Sequence, residues 1–363
     1  MHRAQSRPYS PVLAWLRPAG PEPRKNGWWG YRRFMHFGTF IPQGWRLDLV
    51  GIPTEEQWPT MVRVAKEIER LGYESAWVYD HFHTVPKPMQ EATYEAWTLM
   101  AALAAVTDTV RLGQMCTCNS YRPPSYLAKV AANIDVISGG RLEMGIGAGW
   151  YEHEYLGYGY GFDKPSVRIG MLREGVEIMQ RMWTEDEVTY DGKYYQLAGA
   201  INQPKPVQDP HIPFWIAGGG EKLTLNVAAR YASYTNFGGT IENFNHKSEV
   251  LAGHCRAVGR DFETITRSAN FNVIIGETEA DVKDKYDWHL NHFAPLIGAD
   301  QTERTMRNFD GPGGLKGTPE QIVESLKSWE AAGMTYSIVY FADAAYDTSS
   351  MELFMQQVVP HLR

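Results

Sequence analysis

The stretch LAKVAANIDVISGGRLEMGIGAGW, residues 127–150, carries the grammar of the whole chain. Leu127, Val130, Ile134 and Ile137 recur at helical spacing, and Gly139-Gly140 stops the helix. The apolar run 142–147 then reads as a short strand, with the glycine series Gly145-Ile146-Gly147-Ala148-Gly149 at its end. Working outward, the same alternation repeats. Strands are expected at 36–41, 75–79, 110–116, 142–147, 213–217, 232–237, 269–275 and 335–341. Between the first two, Thr54 is expected to cap a helix with Gln57 reaching back, Met61, Val64, Ala65, Ile68 and Leu71 marking one face and Gly72 ending it. Ile169, Leu172, Val176, Met179 and Trp183 mark another helical face, and Thr318-Pro319-Glu320-Gln321 reads as a capped start with proline first. Short strands alternating with amphipathic helices demand a parallel sheet with crossover helices. Eight of them favour a closed (β/α)8 TIM barrel over an open doubly wound sheet. Stretches 186–212 and 290–317, after the fourth and seventh strands, read as irregular insertions serving as lids or pocket walls.

Residues 1–33 are different in character: Arg, Pro and Gly are frequent and no period is visible. They read as an unstructured extension ahead of one domain over 34–363, with Met35, directly before the first strand, as an alternative start. With 44% hydrophobic and 13% aromatic residues the chain can bury a large core. A net charge of −7 argues against the broad basic surface that nucleic acid or an anionic membrane would require. Cys116, Cys118 and Cys255 make neither a disulfide framework nor a zinc spacing, and no apolar run reaches the ~20 residues of a membrane span. Arg32-Arg33 lacks the apolar stretch of an export signal, so the expected compartment is the cytoplasm.

Four segments could carry chemistry at strand ends, where barrel enzymes keep their catalytic groups. Asp80-His81-Phe82-His83 closes the second strand; His81 suits acid/base work near neutral pH, while the plain alternative is a hydrogen-bonded strand cap. His81 and His83 also form the HxH of metal-dependent hydrolase barrels, but later strand ends (Ala217-Gly218, Asn236-Phe237, Ile275-Gly276, Phe341-Ala342) offer no further ligands. Gly145 to Gly149 let backbone approach a flat ligand, or form only a tight turn, and lack the Rossmann pattern because Trp150 to Tyr155 continues as an aromatic, acidic segment. Gly218-Gly219-Gly220-Glu221-Lys222 precedes a helix and could receive a phosphate, or be a flexible loop. Met115-Cys116-Thr117-Cys118-Asn119 leaves room for a ring, followed by Tyr121 and Arg122, which could equally pack on the rim.

Taken in order, these segments resemble the luciferase-like monooxygenase superfamily, especially its F420-dependent oxidoreductases, from Phe37 to His361. The most specific matches run from Tyr121-Arg122-Pro123 through Asp135 to Leu142 into Gly145 to Trp150, then Arg168 to Trp183 with Asp191-Gly192-Lys193-Tyr194-Tyr195, Ile216 to Gly219, and Gly317-Thr318-Pro319. The resemblance implies a TIM barrel holding a deazaflavin F420, or alternatively FMN, at the C-terminal strand ends. It places Asp80 and His81 beside the ring, with His81 as catalytic proton partner. Gly145, Gly147, Ala148 and Gly149 would lie along the ring edge, with Tyr155 alongside and Met115, Cys116, Thr117 and Asn119 backing it. It further implies a non-proline cis peptide at Met115–Cys116 and a phosphate on Gly218, Gly219, Gly220, Glu221 and Lys222. Phe40 and Trp150 would line a substrate pocket, and the superfamily often forms homodimers. F420-dependent sugar-phosphate dehydrogenases carry a catalytic glutamate where this chain has Trp150, which disfavours sugar phosphates and suits a hydrophobic small molecule. The implied activity is hydride transfer with F420 or monooxygenation with FMN; a flavin-binding protein without turnover is the reading of another class.

Overall fold

The computed structural model describes residues 34–363; the extension expected over 1–33 lies outside them. Eight parallel strands form the fold: β1 His36–Phe40, β2 Ser75–Val78, β3 Arg111–Gln114, β4 Leu142–Gly147, β5 Phe214–Ala217, β6 Tyr234–Asn236, β7 Thr266–Ile275 and β8 Tyr336–Tyr340. Each pairs with the next, and β8 returns to β1 through His36 opposite Tyr336, so the sheet closes into a barrel. All eight expected strands are present; the sixth is shorter than read from sequence and the seventh begins three residues earlier.

Helices α1 Thr54–Leu71, α2 Ala96–Val106, α3 Pro124–Ser138, α4 Glu152–Gly157, α5 Pro165–Thr184, α6 Thr224–Tyr231, α7 Ile241–Val258, α8 Glu279–Ile297, α9 Ala299–Asp310, α10 Pro319–Ala331 and α11 Ser349–Leu353 fill the connections. None is long and apolar enough to cross a membrane. Thr54 is not a cap: it is the first helical residue behind Pro53, and Gln57 donates instead to the Ile52 carbonyl at 3.0 Å. In α3 the buried face is Leu127, Ala128, Ala131 and Ile134, whereas Ile137 is exposed; alanines with no weight in an apolar pattern do the packing. At α10 the sequence reading holds, with Pro319 first and the Gln321 side chain accepting from the Thr318 N–H at 2.9 Å.

Both insertions are more regular than expected. The first folds a hairpin, Val188–Asp191 against Gln196–Ala200, whose turn is held on α5 by the Glu174 carboxylate accepting from the N–H groups of Lys193, Tyr194 and Tyr195. It supplies no wall to the cleft described below. The second contains the end of α8, all of α9 and a strand, Gly314–Gly317, parallel to β7. Pro295 and Gly298 are local helix breakers, but Phe293, Ile297, Met306 and Phe309 are buried there and burial outweighs them.

Strand residues alternate: Phe37, Val78, Leu112, Met144 and Ile216 face the helices, and Trp77, Trp215, Ile274 and Ile338 fill the barrel. The Trp77 indole sits where three neighbouring strands have no side chain. A Cβ on Gly113 would stand 2.4 Å from its ring, one on Gly38 2.6 Å, and one on Gly145 3.5 Å. Trp215 meets Trp77 edge-on at 4.7 Å between centroids, and its indole N–H donates to buried Glu143 at 2.7 Å. Burial raises the Glu143 carboxyl, and the adjoining Arg111 offsets part of that. Gly113→Ala is therefore expected to destabilise the barrel by ~1–3 kcal/mol in denaturant titration through overpacking. Combined with Trp77→Phe the two costs should be less than additive, whereas Gly161→Ala, whose Cβ meets nothing within 4 Å, should change little.

Candidate functional site

At the C-terminal strand ends a cleft of about 430 Å³ opens. Its walls come from Phe40 on β1, Trp45 and Arg46 in the following loop, Tyr79 after β2, Val85-Pro86, Trp150-Tyr151 after β4, Asn270 to Asn272 on β7, Asn308 on α9 and Tyr340 on β8. Phe40 and Tyr79 stack at 4.3 Å. The volume and the largely aromatic lining are those of a small-molecule site.

His81 stands at the edge of this cleft, covered by the residues that line it. Its ring lies flat on Trp45, centroids 4.0 Å apart at 3°, with Trp150 and Tyr151 edge-on at 5.8 and 5.9 Å. Nδ1 is 2.8 Å from Glu154 Oε2. A carboxylate only accepts, so Nδ1 carries the hydrogen and Nε2 is the nitrogen left for a ligand. Glu154 is fully buried and also accepts from Tyr121 Oη and from the N–H groups of Phe82 and His83. Burial is the largest influence and would raise its carboxyl, but the His81 hydrogen bond and charge with the two backbone N–H groups bring it below the ordinary value.

Asp80 is buried, and its two oxygens are taken by Arg122 at 2.7 and 2.9 Å and by the Cys118 N–H at 2.9 Å. Its carboxylate thereby ties the second strand end to the loop after β3. Arg122 also reaches Glu95 at 2.6 Å. Thr117 donates to the Gln114 side chain, Cys118 sits 2.9 Å from the Tyr155 hydroxyl, and Met115 packs inward in one cluster with Phe40 and Tyr79. Asn119 turns away from the cleft: its amide donates to Tyr195 of the hairpin at 3.2 Å, and a Cβ on Gly175 of α5 would stand 2.3 Å from its Oδ1.

The family profile of luciferase-like monooxygenases matches residues 35–336. This chain belongs to that family.

Relatives within the luciferase-like family differ in chemistry. An F420-dependent glucose-6-phosphate dehydrogenase of Gordonia bronchialis is 33% identical over 324 residues, spanning 84% of this chain and 93% of its own. A pyrimidine monooxygenase, RutA, of a Bradyrhizobium species is 31% identical over 207 residues, 55% of this chain and 56% of its own. In fold, the coenzyme F420-dependent tetrahydromethanopterin reductase of Methanopyrus kandleri superposes with a TM-score of 0.72 at 21% identity, covering 92% of this chain and all of that one.

The bond Met115–Cys116 is cis in this luciferase-like barrel, as the resemblance implied. Past it, Thr117–Cys118 pairs with Ile146 and Gly147 of β4, so the glycine series begins inside the strand rather than after it. Gly145 is required because a Cβ would lie 1.8 Å from the Gln114 carbonyl. At Gly147 a Cβ would meet Cys116 Sγ at 2.8 Å and the Ala217 oxygen at 3.4 Å, so the chain after β3 and the ends of β4 and β5 converge where only small residues fit. Gly149 has φ +79°, and its turn rests on the buried Tyr155 hydroxyl. Burial pushes the Cys116 thiol up to about 12, so it is an uncharged part of this floor. The second glycine run is adjacent: β4 pairs with β5 through Ile146 opposite Ile216, and Gly218, with φ +113°, follows directly. Gly218 N–H is used by the Asn236 carbonyl, while Gly219, Gly220, Glu221 and Lys222 lead into α6, which starts at Thr224. Glu221 faces Lys247 at 2.6 Å and His246 at 3.1 Å. Together these residues fit a planar ring with an anionic tail: a floor of the small residues Cys116, Gly147 and Ala217, and near the start of α6 the cation Lys222, with Lys247 paired to Glu221.

Glu154, Trp45 and Arg46 were not among the residues singled out from sequence. Glu154 lies in the acidic segment after β4 and needed only the question of what would orient His81. Trp45 and Arg46 follow β1 as His81 follows β2, and the strand-end rule would have reached them.

Glu154→Gln should lower stability by ~1–3 kcal/mol, since donors aimed at a carboxylate lose their partner. The folded carboxyl sits below its ordinary 4.5, so its contribution is present above pH 4.5 and is lost as pH falls through the depressed folded value. Thermal unfolding followed from pH 7 to 3 should show a shallower loss for Glu154→Gln than for the native chain.

Proposed function

We propose that this protein is an F420-dependent oxidoreductase that transfers a hydride between the deazaflavin and an organic, largely apolar substrate. The observation that carries this reading is the adjacency of two things at one end of the barrel: the floor of small residues Cys116, Gly147 and Ala217, and the His81 imidazole oriented by Glu154 beside an aromatic cleft. When bound, the deazaflavin supplies a two-electron hydride centre without the oxygen-activating nitrogen of FMN.

The chain's own residues do the rest. Glu154 fixes the His81 tautomer, so that Nε2 can hold or deliver a proton at the reacting atom. Trp45, Trp150 and Tyr151 surround that imidazole and exclude water once the cleft is filled. Phe40, Tyr79 and Tyr340 position an apolar substrate body. Gly219, Gly220 and Lys222 receive the anionic tail at the start of α6.

Titration of the purified protein with F420 and with FMN, each oxidised and reduced, tests the cofactor. Tight binding of F420 with weak binding of FMN is expected, and the reverse would make the protein a flavin monooxygenase. His81→Ala should lower kcat by about 10²–10⁴ with cofactor affinity preserved. Trp150→Ala should raise KM for apolar substrates, and unchanged substrate binding would remove Trp150 from the pocket.

A further inference from the structure

Among the residues that line the cleft, Arg46 is the one with a charge. Its guanidinium carbon lies 3.8 Å over the Tyr340 ring, and the Tyr79 hydroxyl bonds to it. Neither is an anion. Among the described residues no carboxylate forms an ion pair with it. Asp48, which acts on Arg46 electrostatically, has one oxygen taken by the N–H groups of Gln43 and Gly44 and the other by the Tyr340 hydroxyl at 3.1 Å. Burial raises the Asp48 carboxyl, and its attraction to Arg46 acts through space rather than through an ion pair. Across the cleft the polar groups are the neutral amides of Asn270, Asn272 and Asn308.

A half-buried guanidinium stacked on an aromatic face keeps its charge and most of its five N–H donors, and leaving them unmatched is costly. Its fork geometry suits a bidentate oxyanion. The position also separates it from the cofactor cradle. Arg46 stands over β1 and β8, whereas Gly147 and the second glycine run belong to the ends of β4 and β5, on the opposite side of an eight-stranded ring.

We infer that Arg46 is the specificity-determining residue of this cleft and that the substrate is a flat or aromatic organic acid whose carboxylate pairs with it. This rests on the reading of the cleft as the substrate site of a hydride-transfer enzyme. The acid group anchors on Arg46, the ring or chain lies among Phe40, Tyr79 and Tyr340, and the far end reaches the His81 side. The cleft therefore selects for one negative charge at one end of an otherwise apolar molecule.

The test uses the full chain and matched probes: phenylacetate and 3-phenylpropionate against their primary amides, with binding followed by quenching of the Trp45 and Trp150 fluorescence and by calorimetry. The acids should bind at least ~10-fold tighter than the amides, as a charge-assisted pair predicts, and the preference should shrink with added salt. Arg46→Gln should abolish the preference while amide affinity is retained, and Arg46→Lys should keep part of it. Equal binding of acid and amide, binding of neither, or an undiminished preference in Arg46→Gln would overturn the inference. If Arg46→Gln does not fold, the native comparison and its salt dependence decide. Cofactor titration of the same samples separates the two claims. Loss of F420 or FMN binding in Arg46→Gln would assign Arg46 to the cofactor and overturn the inference, leaving the hydride-transfer reading intact. A native protein that binds neither cofactor but prefers the acids would sink that reading and keep the anion site.

Discussion

The Trp77 indole occupies the barrel interior at a point where β1, β3 and β4 present Gly38, Gly113 and Gly145, and a side chain on the first two would collide with it. Interiors tolerate neither voids nor overlap, so one large ring fixes how closely those strands approach and where their ends fall. The same glycine that accommodates Trp77 on β4 also lets the Gln114 carbonyl pass close by, which sets the course of the chain into Met115 and Cys116. Packing of the barrel and shape of the site are in this respect a single constraint.

The site itself depends on buried carboxylates used as organisers. Glu154 gathers His81, Tyr121 and two backbone N–H groups around one side chain, Asp80 joins the loop after β3 to β2 through Arg122, and Glu174 pins the hairpin to α5. Each is satisfied by several donors, the condition under which a buried charge is tolerable. His81 is held by a partner on a separate element, the short helix α4, so its orientation survives movement of either segment only while the pair is intact. Arg46 is the contrast: a cation at the cleft whose surroundings are aromatic and amide rather than anionic.

After β4 of this luciferase-like barrel stands Trp150, which meets the His81 ring edge-on at 5.8 Å and puts an indole, with no titratable group, on that side of the imidazole. The selectivity proposed for this cleft, on shape and on a single charge, is a different demand from recognising many hydroxyls.

Periodicity and glycine spacing in the chain determined the barrel, the order of its strands, and the two glycine runs at one end, because these depend on local alternation and on backbone positions that exclude side chains. The eight strand assignments and the α10 start were legible in this way, whereas the cis bond at Met115–Cys116 came from the family resemblance and not from any local pattern. The helical character of 290–317 was not, since Pro295 and Gly298 argue locally for a break while Phe293, Met306 and Phe309 gain burial that only the assembled barrel provides. Nor was the outward turn of Asn119, or the choice of Glu154 as partner of His81, 73 residues away. Tertiary structure alone decided these, because a hydrogen-bond partner is defined by what closure of the barrel brings within a few ångströms, and no spacing along the chain encodes that distance.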